Sequence, residues 1–135
     1  MIFNKQTLLK ILIGISFLAT GFHLLILIKV IPYDIAWGGK LKNDIEMYVF
    51  EVLSIIINSF FIYVLLQKGN YVPVVFSEKT LSVILWIFFA IFMLNSIGNL
   101  FAETTFEKLF TVVTLFNAIL IWLINRTADH KLKEP

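Results

Sequence analysis

Four long apolar stretches alternate with short polar ones along this chain. They cover about residues 8–31, 47–66, 81–102 and 106–125. A helix needs about 20 largely apolar residues to cross a bilayer, and each stretch meets that length. The stretches are too long and too uniformly apolar for the strands of a membrane barrel, which alternate in polarity. The pattern therefore predicts an all-α integral membrane protein with four transmembrane helices.

The polar residues between the stretches mark the helix ends. Lys29 and Pro32 close the first stretch, and the segment from Ser77 to Thr80 has the spacing of a helix start. Because the connections are short, consecutive helices should be antiparallel neighbours in an up-down-up-down bundle. Residues 1–135 then form a single membrane domain with a short polar tail at 127–135.

The first stretch also admits another interpretation. Lys5 and Lys10 precede the apolar run, and Ala19-Thr20-Gly21 has the small residues of a secretory cleavage site. The run continues unbroken past that site, which favours a retained membrane helix.

The distribution of Lys and Arg predicts the orientation of the bundle, because cationic loops stay on the cytoplasmic side. One side carries seven of the 11 cationic residues, namely Lys5, Lys10, Lys68, Lys79, Arg126, Lys131 and Lys133. Lys29, Lys40, Lys42 and Lys108 lie on the other side. We therefore expect both termini to be cytoplasmic. The protein would be a multi-pass protein of the cell membrane, the cytoplasmic membrane if the source is bacterial.

Composition agrees with this assignment and narrows the chemistry. The chain is 59% apolar and only 15% charged, whereas a soluble domain carries about 25% charged residues. A net charge of +2 is too small to neutralise a run of phosphates, which excludes a nucleic-acid partner. The absence of cysteine excludes disulfides and thiolate ligands. No motif for a metal or a cofactor is present, and we expect neither.

Polar side chains are costly inside a bilayer, so their positions carry most of the functional information. On each predicted helix they fall on one stripe at helical spacing. If the stripes face inward, they line a polar pocket that opens to the outside and is closed below by aliphatic and aromatic residues. The candidate pocket residues are His23, Glu51, Asn58, Asn95, Asn99, Glu103, Glu107, Thr111 and Thr114.

These residues also have a structural interpretation. Asn, Ser and Thr in membrane helices often join neighbouring helices, with about 0.6 kcal/mol per hydrogen bond on average. Glu51 lies about one turn inside its predicted helix, so its carboxylate could instead extend to the lipid headgroups. The alternative for Glu51 is a buried or cavity-facing carboxylate.

The first loop is the longest and has a candidate lid. Tyr33 and Asp34 follow a proline in a turn pattern, and Trp37 precedes a flexible glycine pair. This segment could fold over the outer mouth of the bundle. The alternative is an interfacial turn that the Trp37 indole anchors among the headgroups.

Three functions remain open. The favoured one is a non-catalytic protein that binds or transports a small polar or amphiphilic ligand in the pocket. The second is an accessory or structural membrane subunit. The third is an enzyme that acts on a lipid-like substrate with His23 and Glu51 as an acid–base pair. Besides the lipid bilayer, a second copy of the chain is a candidate partner, through the face of Gly14 and Gly21.

Overall fold

The computed structural model describes residues 4–37 and 40–131, with side chains described as far as Arg126. Its helices are α1 (Lys5–Leu27), α2 (Asp34–Trp37), α3 (Asp44–Lys68), α4 (Glu78–Leu100) and α5 (Thr105–Lys131). No strand occurs in this part of the chain, so the all-α prediction is confirmed there. By length and composition, α1, α3, α4 and the stretch Thr105–Arg126 of α5 could each cross a membrane.

Polar caps begin the long helices about three residues before the apolar stretches. The side chains of Asn4, Asn43 and Ser77 each accept a hydrogen bond from a backbone N–H two or three residues further on. At the start of α5, the Thr104 hydroxyl donates to the Glu107 carboxylate and accepts from the Glu107 N–H. The predicted spans missed these first turns because they are polar. The predicted tail is likewise helical as far as Lys131.

Two helices end in the same left-handed turn. Lys29 after α1 and Asn70 after α3 have φ values of 60° and 57°. In each case the next residue's N–H returns to a carbonyl five residues back, from Val30 to Leu25 and from Tyr71 to Leu66. This Schellman geometry satisfies carbonyls that the helix end leaves free. It also ends α1 at Leu27, four residues before the apolar stretch ends.

The helices α1 and α3 are joined along their length by polar contacts. The Gln6 side chain donates to the Gly69 carbonyl, and Tyr71 donates to Gln6. Near the other end, His23 contacts Glu51. The first residues of α1 therefore lie beside the end of α3, and the last residues of α1 lie beside its start.

The helices α4 and α5 form the most extensive contact of the bundle. The Asn125 amide donates to the Ser82 carbonyl, and the Ser96 hydroxyl donates to the Thr111 carbonyl. The start of α4 therefore lies beside the far part of α5. One end of the bundle, the Lys68 end, collects the beginnings of α1 and α4 and the end of α3. The opposite end, the Glu51 end, holds the last turns of α1 and the first turns of α3 and α5.

The main apolar core fills the half of the bundle nearest the Lys68 end. It contains buried side chains from all four long helices, and we call it the apolar plug: Leu8, Leu9, Leu12, Phe61, Val64, Leu65, Leu81, Leu85, Phe88, Leu120, Ile121 and Ile124. The Phe61 and Phe88 rings, 4.4 Å apart between centroids, join α3 to α4 across it. The half nearest the Glu51 end has a smaller buried cluster of Ile26, Leu41 and Met47.

The outward faces of the helices are apolar. Leu18 is 76% exposed, and Leu94 and Val112 are each 68% exposed. Apolar surface of this extent is rare on a soluble monomer but is favourable against lipid tails. The exposed faces therefore support the assignment to a membrane.

Gly69, which caps α3, lies against the Tyr71 ring. A Cβ at this position would overlap that ring, which is itself exposed and can move. We expect Gly69→Ala to displace the ring from Gln6 and to lower the free energy of unfolding by about 1 kcal/mol, the net contribution of a typical hydrogen bond. Thermal unfolding of the purified protein in detergent measures the change. In the Tyr71→Ala background the same substitution should cost less, and an equal cost in both backgrounds would show that the ring is not the obstacle.

Candidate functional site

The carboxylate of Glu51 forms the centre of the most distinctive polar cluster. Its side chain has no exposed surface. The Trp37 indole Nε1–H donates to Oε1 at 2.6 Å, and Nδ1 of His23 lies 2.7 Å from Oε2. Both carboxylate oxygens thus have a partner. The three side chains come from α1, α2 and α3, so the cluster joins three elements.

Local structure explains why these residues meet. Asn43 caps α3 and sets its start, which places Glu51 two turns inside the helix. The left-handed turn at Lys29 and then Pro32 redirect the chain after α1. A single helical turn follows, in which the Trp37 N–H donates to the Tyr33 carbonyl. This turn directs the Trp37 indole towards the Glu51 carboxylate.

Apolar side chains close the cluster from outside. The half-buried rings of Tyr33 and Trp37 pack against the Ile26, Leu41 and Met47 cluster, and the Trp37 ring lies 5.2 Å from that of Phe50. Hydrogen bonds in such a low-dielectric setting are strong when made and costly when missing. Of the residues predicted to form a lid, Trp37 contacts Glu51, whereas Tyr33 packs against the neighbouring apolar cluster, and movement of this segment as a lid stays a prediction. Asp34 is exposed and does not contact Glu51, and Gly38 and Gly39 lie outside the described residues.

A salt bridge between Lys29 and Asp44 lies at the surface of the Glu51 end. The Lys29 ammonium is hydrogen-bonded to the Asp44 carboxylate and lies 5.6 Å from the centre of the Tyr48 ring. The hydrogen bond to Asp44 raises the pKa of Lys29 above its usual value. Both charges are about half exposed, so they lie outside the apolar cover. This pair ties the end of α1 to the start of α3, the two helices that supply His23 and Glu51.

A neutral polar layer lies between the Glu51 cluster and the apolar plug. The Asn58 amide donates to the Ser16 carbonyl at 2.8 Å and to the Thr20 hydroxyl at 2.6 Å. The Thr20 hydroxyl in turn donates to the Ser16 carbonyl at 3.0 Å. Asn58 is thus brought to the same side of the bundle as His23 and Glu51, and it also holds α1 against α3.

Aromatic rings of α1 and α5 pack together beside His23. The Phe22 ring stands edge-on to the His23 ring, with centroids 6.1 Å apart. Phe22 also contacts Phe106 and Phe110 at 6.0 and 5.5 Å. The cluster therefore has an apolar flank as well as a polar centre. The sequence analysis assigned no role to these phenylalanines, because no pattern along the chain distinguishes them from the other apolar residues.

The Glu51 cluster has the parts needed for proton exchange or for binding a hydrogen-bond donor. The carboxylate orients the imidazole through Nδ1, which leaves Nε2 to act as donor or acceptor. No described residue hydrogen-bonds to Nε2, and the His23 side chain is 24% exposed. Each carboxylate oxygen can accept more than one hydrogen bond, but the Glu51 side chain has no exposed surface, so a ligand could reach Oε1 only after a neighbouring side chain moved. The Trp37 indole, which is hydrogen-bonded to Oε1, is the candidate for that movement.

The candidate residues on α4 and in its following loop lie apart from this cluster. Asn95 and Glu103 are exposed and Asn99 is half-buried, and none of the three side chains forms a hydrogen bond with a described residue. The structure does not bring them into contact with His23 or Glu51.

Most hydrogen bonds of the candidate residues on α5 are made within or next to that helix. Glu107 is buried and caps its start, and Thr114 donates to the Phe110 carbonyl. The Thr111 carbonyl accepts from Ser96, while the Thr111 hydroxyl is buried without a partner among the described residues. No hydrogen bond among the described residues joins these side chains to the Glu51 cluster, and the ring contacts of Phe22 with Phe106 and Phe110 bring α5 beside it.

A second charged cluster, at the Lys68 end, was not predicted. The Lys68 side chain is fully buried, and its ammonium donates to the Glu78 carboxylate at 2.6 Å and to the Ser82 hydroxyl at 2.8 Å. The Asn125 amide reaches the Ser82 carbonyl from α5. Sequence reasoning placed Lys68 in a loop at the membrane surface. The one feature of the sequence that points to this cluster is the position of its four polar residues. Lys68, Glu78, Ser82 and Asn125 come from α3, α4 and α5 and all lie near the same predicted end of the bundle.

Gly14 and Gly21 remain open on the face of α1. A Cβ added at either would meet no atom within 4 Å. Two copies of α1 could thus approach closely along this face, and pairing between copies stays a prediction.

No protein-family model, curated protein or solved structure matches this chain. Within residues 4–37 and 40–131, no group of three or more His, Cys, Asp or Glu side chains is arranged to hold a metal ion.

The Trp37 hydrogen bond can be separated from the packing of its ring. Trp37→Phe keeps an aromatic ring over Phe50 but leaves Oε1 of Glu51 without a donor. We expect it to lower the free energy of unfolding by about 1–3 kcal/mol, the cost of an unsatisfied buried acceptor. Trp86→Phe is the matched control, because the Trp86 ring contacts Phe89 while its indole N–H forms no hydrogen bond with a described residue. Equal losses of thermal stability in the two variants would contradict a role for the indole N–H.

Proposed function

We propose that this chain is a small multi-pass membrane protein that binds or transports a small polar or amphiphilic ligand at the Glu51 cluster. The observation that carries the proposal is the fully buried carboxylate of Glu51, held by Trp37 and His23 under the segment 33–37. An ionisable group placed this way within a membrane helix marks a functional site more often than a packing contact.

Stability alone is a poor reason to keep such a cluster. Withdrawing a charge from water costs several kcal/mol, and a well-packed apolar replacement is often neutral or stabilising. The neutral bridge from Asn58 to Ser16 and Thr20 already holds α1 against α3. A purely structural subunit would need no carboxylate or imidazole beside that bridge. This argument favours ligand binding over the accessory-subunit alternative.

The shape of the cluster favours an amphiphilic ligand with a donor group. Glu51 offers oxygens to a cationic or proton-donating head, and His23 offers Nε2. The rings of Phe22, Phe106 and Phe110 offer an apolar flank to the rest of the molecule. Binding would exchange the Trp37 N–H for a ligand donor, so the segment 33–37 would move as a lid. An enzyme that uses the His23–Glu51 pair as acid and base remains the alternative, and it additionally requires that both side chains reach one reacting atom.

The proposal includes an orientation. In an up-down-up-down bundle with cytoplasmic termini, the Glu51 end faces outward and the Lys68 end faces the cytoplasm. The excess of Lys and Arg at the termini and in the second loop supports this direction. The apolar plug would then separate an outward-facing site from the cytoplasm.

Single cysteines can test the orientation, since the chain has no native thiol. Lys40→Cys lies in the first loop and Val74→Cys in the second, and both side chains are exposed. An impermeant maleimide added to intact cells should label the first variant and leave the second unlabelled until the cells are opened. The reverse labelling pattern would show that the bundle has the opposite orientation in the membrane.

The binding role of Glu51 can be tested with three variants. Glu51→Gln keeps the shape and removes the charge, so we expect folding to persist and retention of a cationic or proton-donating molecule to fall about tenfold, as when a charge-assisted hydrogen bond is lost. Glu51→Ala leaves Trp37 and His23 without an acceptor, so both stability and retention should fall. Glu103→Gln is the control, because that carboxylate is exposed near the same end.

Native mass spectrometry of the protein purified from its own membrane measures retention of co-purifying small molecules, and thermal unfolding measures stability. Equal retention in wild type, Glu51→Gln and Glu51→Ala would overturn the binding proposal. Loss in Glu103→Gln as large as in Glu51→Gln would point to a general charge effect instead.

A further inference from the structure

An open apolar groove runs between α4 and α5 on the outside of the bundle, away from the Glu51 cluster. Its volume is about 320 Å³, and it is lined by Phe89, Met93, Leu115, Ala118, Ile119 and Trp122. Ala118 forms the floor, since its side chain is fully buried and ends at Cβ. The lining is almost entirely apolar, so the groove suits a hydrocarbon chain and offers nothing to a polar solute.

A cation stands at one end of this groove. Arg126 lies one helical turn beyond Trp122, and its guanidinium carbon is 5.1 Å from the Trp122 ring, in cation–π contact. The ring therefore both lines the groove and positions the charge. Arg126 is exposed and forms no ion pair with any side chain that the structure describes.

The other cations near this end differ from Arg126. Lys68 is buried against Glu78, and Lys5 lies 3.8 Å from the same carboxylate. Lys79 is exposed but does not line the groove. Arg126 alone among the described cations combines a free charge with contact to the groove lining. The groove thus combines an apolar slot with one guanidinium that no described carboxylate neutralises.

We infer that this groove is a binding site for an anionic membrane phospholipid. One acyl chain lies against Ala118 between α4 and α5, and the phosphate binds the Arg126 guanidinium, whose planar donors match phosphate oxygens. The Trp122 ring lies at the boundary between chain and headgroup, where membrane tryptophans are enriched. Arg126 belongs to the cation-rich end of the bundle, where anionic lipids of the cytoplasmic leaflet would meet it. The site is independent of the Glu51 cluster and of any ligand there.

Competition between two lipids with identical acyl chains tests the inference. The full chain is placed in nanodiscs that contain equal amounts of phosphatidylglycerol and phosphatidylcholine, and native mass spectrometry counts the lipid that stays bound. We expect phosphatidylglycerol to be retained roughly fivefold over phosphatidylcholine, the effect of one cation near a membrane surface. Arg126→Gln should abolish this preference, and Lys79→Gln should keep it. Ile119→Trp, which narrows the groove at an exposed position, should reduce retention of both lipids.

Each other outcome identifies a different occupant or none. Equal retention of the two lipids in wild type would overturn the anionic site. Equal loss of preference in Arg126→Gln and Lys79→Gln would replace it with a diffuse surface attraction. Displacement of the bound lipid by soluble glycerol 3-phosphate would show a phosphate site without a chain groove. Thermal unfolding of each variant distinguishes loss of the site from loss of the fold, and the exposed positions of Arg126 and Ile119 make folding of these variants the expected result.

Discussion

A carboxylate that has left water must find a donor for each oxygen, and the Glu51 end of this bundle is organised around that requirement. His23, in the last turns of α1, is hydrogen-bonded to Oε2, and Trp37, on the short helix α2, is hydrogen-bonded to Oε1. The second contact constrains the first loop, which must turn back over α3 to deliver the indole. The register of α1 against α3, the left-handed turn at Lys29 and the placement of Trp37 on α2 all bring donors to this one carboxylate.

The bundle separates its polar chemistry into two ends. Glu51 with His23 occupies one end, and Lys68 with Glu78 occupies the other. Between them lie the neutral layer around Asn58 and then the apolar plug. A hydrated path through the bundle would have to cross that plug, which buries leucine, isoleucine and phenylalanine side chains from four helices. This division is compatible with the proposed one-sided ligand site. A transport cycle would additionally need the plug to rearrange.

Two kinds of residue mark where sequence reasoning succeeded and where it stopped. The His23 and Glu51 stripes were recognisable because ionisable groups are rare within apolar stretches and therefore conspicuous. Asn95 and Asn99 looked equivalent by the same criterion, yet the structure leaves Asn95 exposed and brings neither into contact with Glu51. Spacing along a helix shows which residues share a face. It does not show which neighbour that face meets, because the rotation of each helix depends on packing with all the others.

The sequence by itself determined the all-α class, four helices of membrane-spanning length and the presence of ionisable groups within them, because these follow from the length and polarity of local segments. It also determined that Trp37 precedes a glycine pair in the longest interhelical loop. Only the tertiary structure decided that Trp37 donates to Glu51, that Lys68 is buried rather than at the surface, and that Phe22 meets Phe110. Those contacts join residues that are between 10 and 88 positions apart. They depend on the packing order and the register of four helices whose apolar surfaces are similar in composition, and neither is encoded in a local segment.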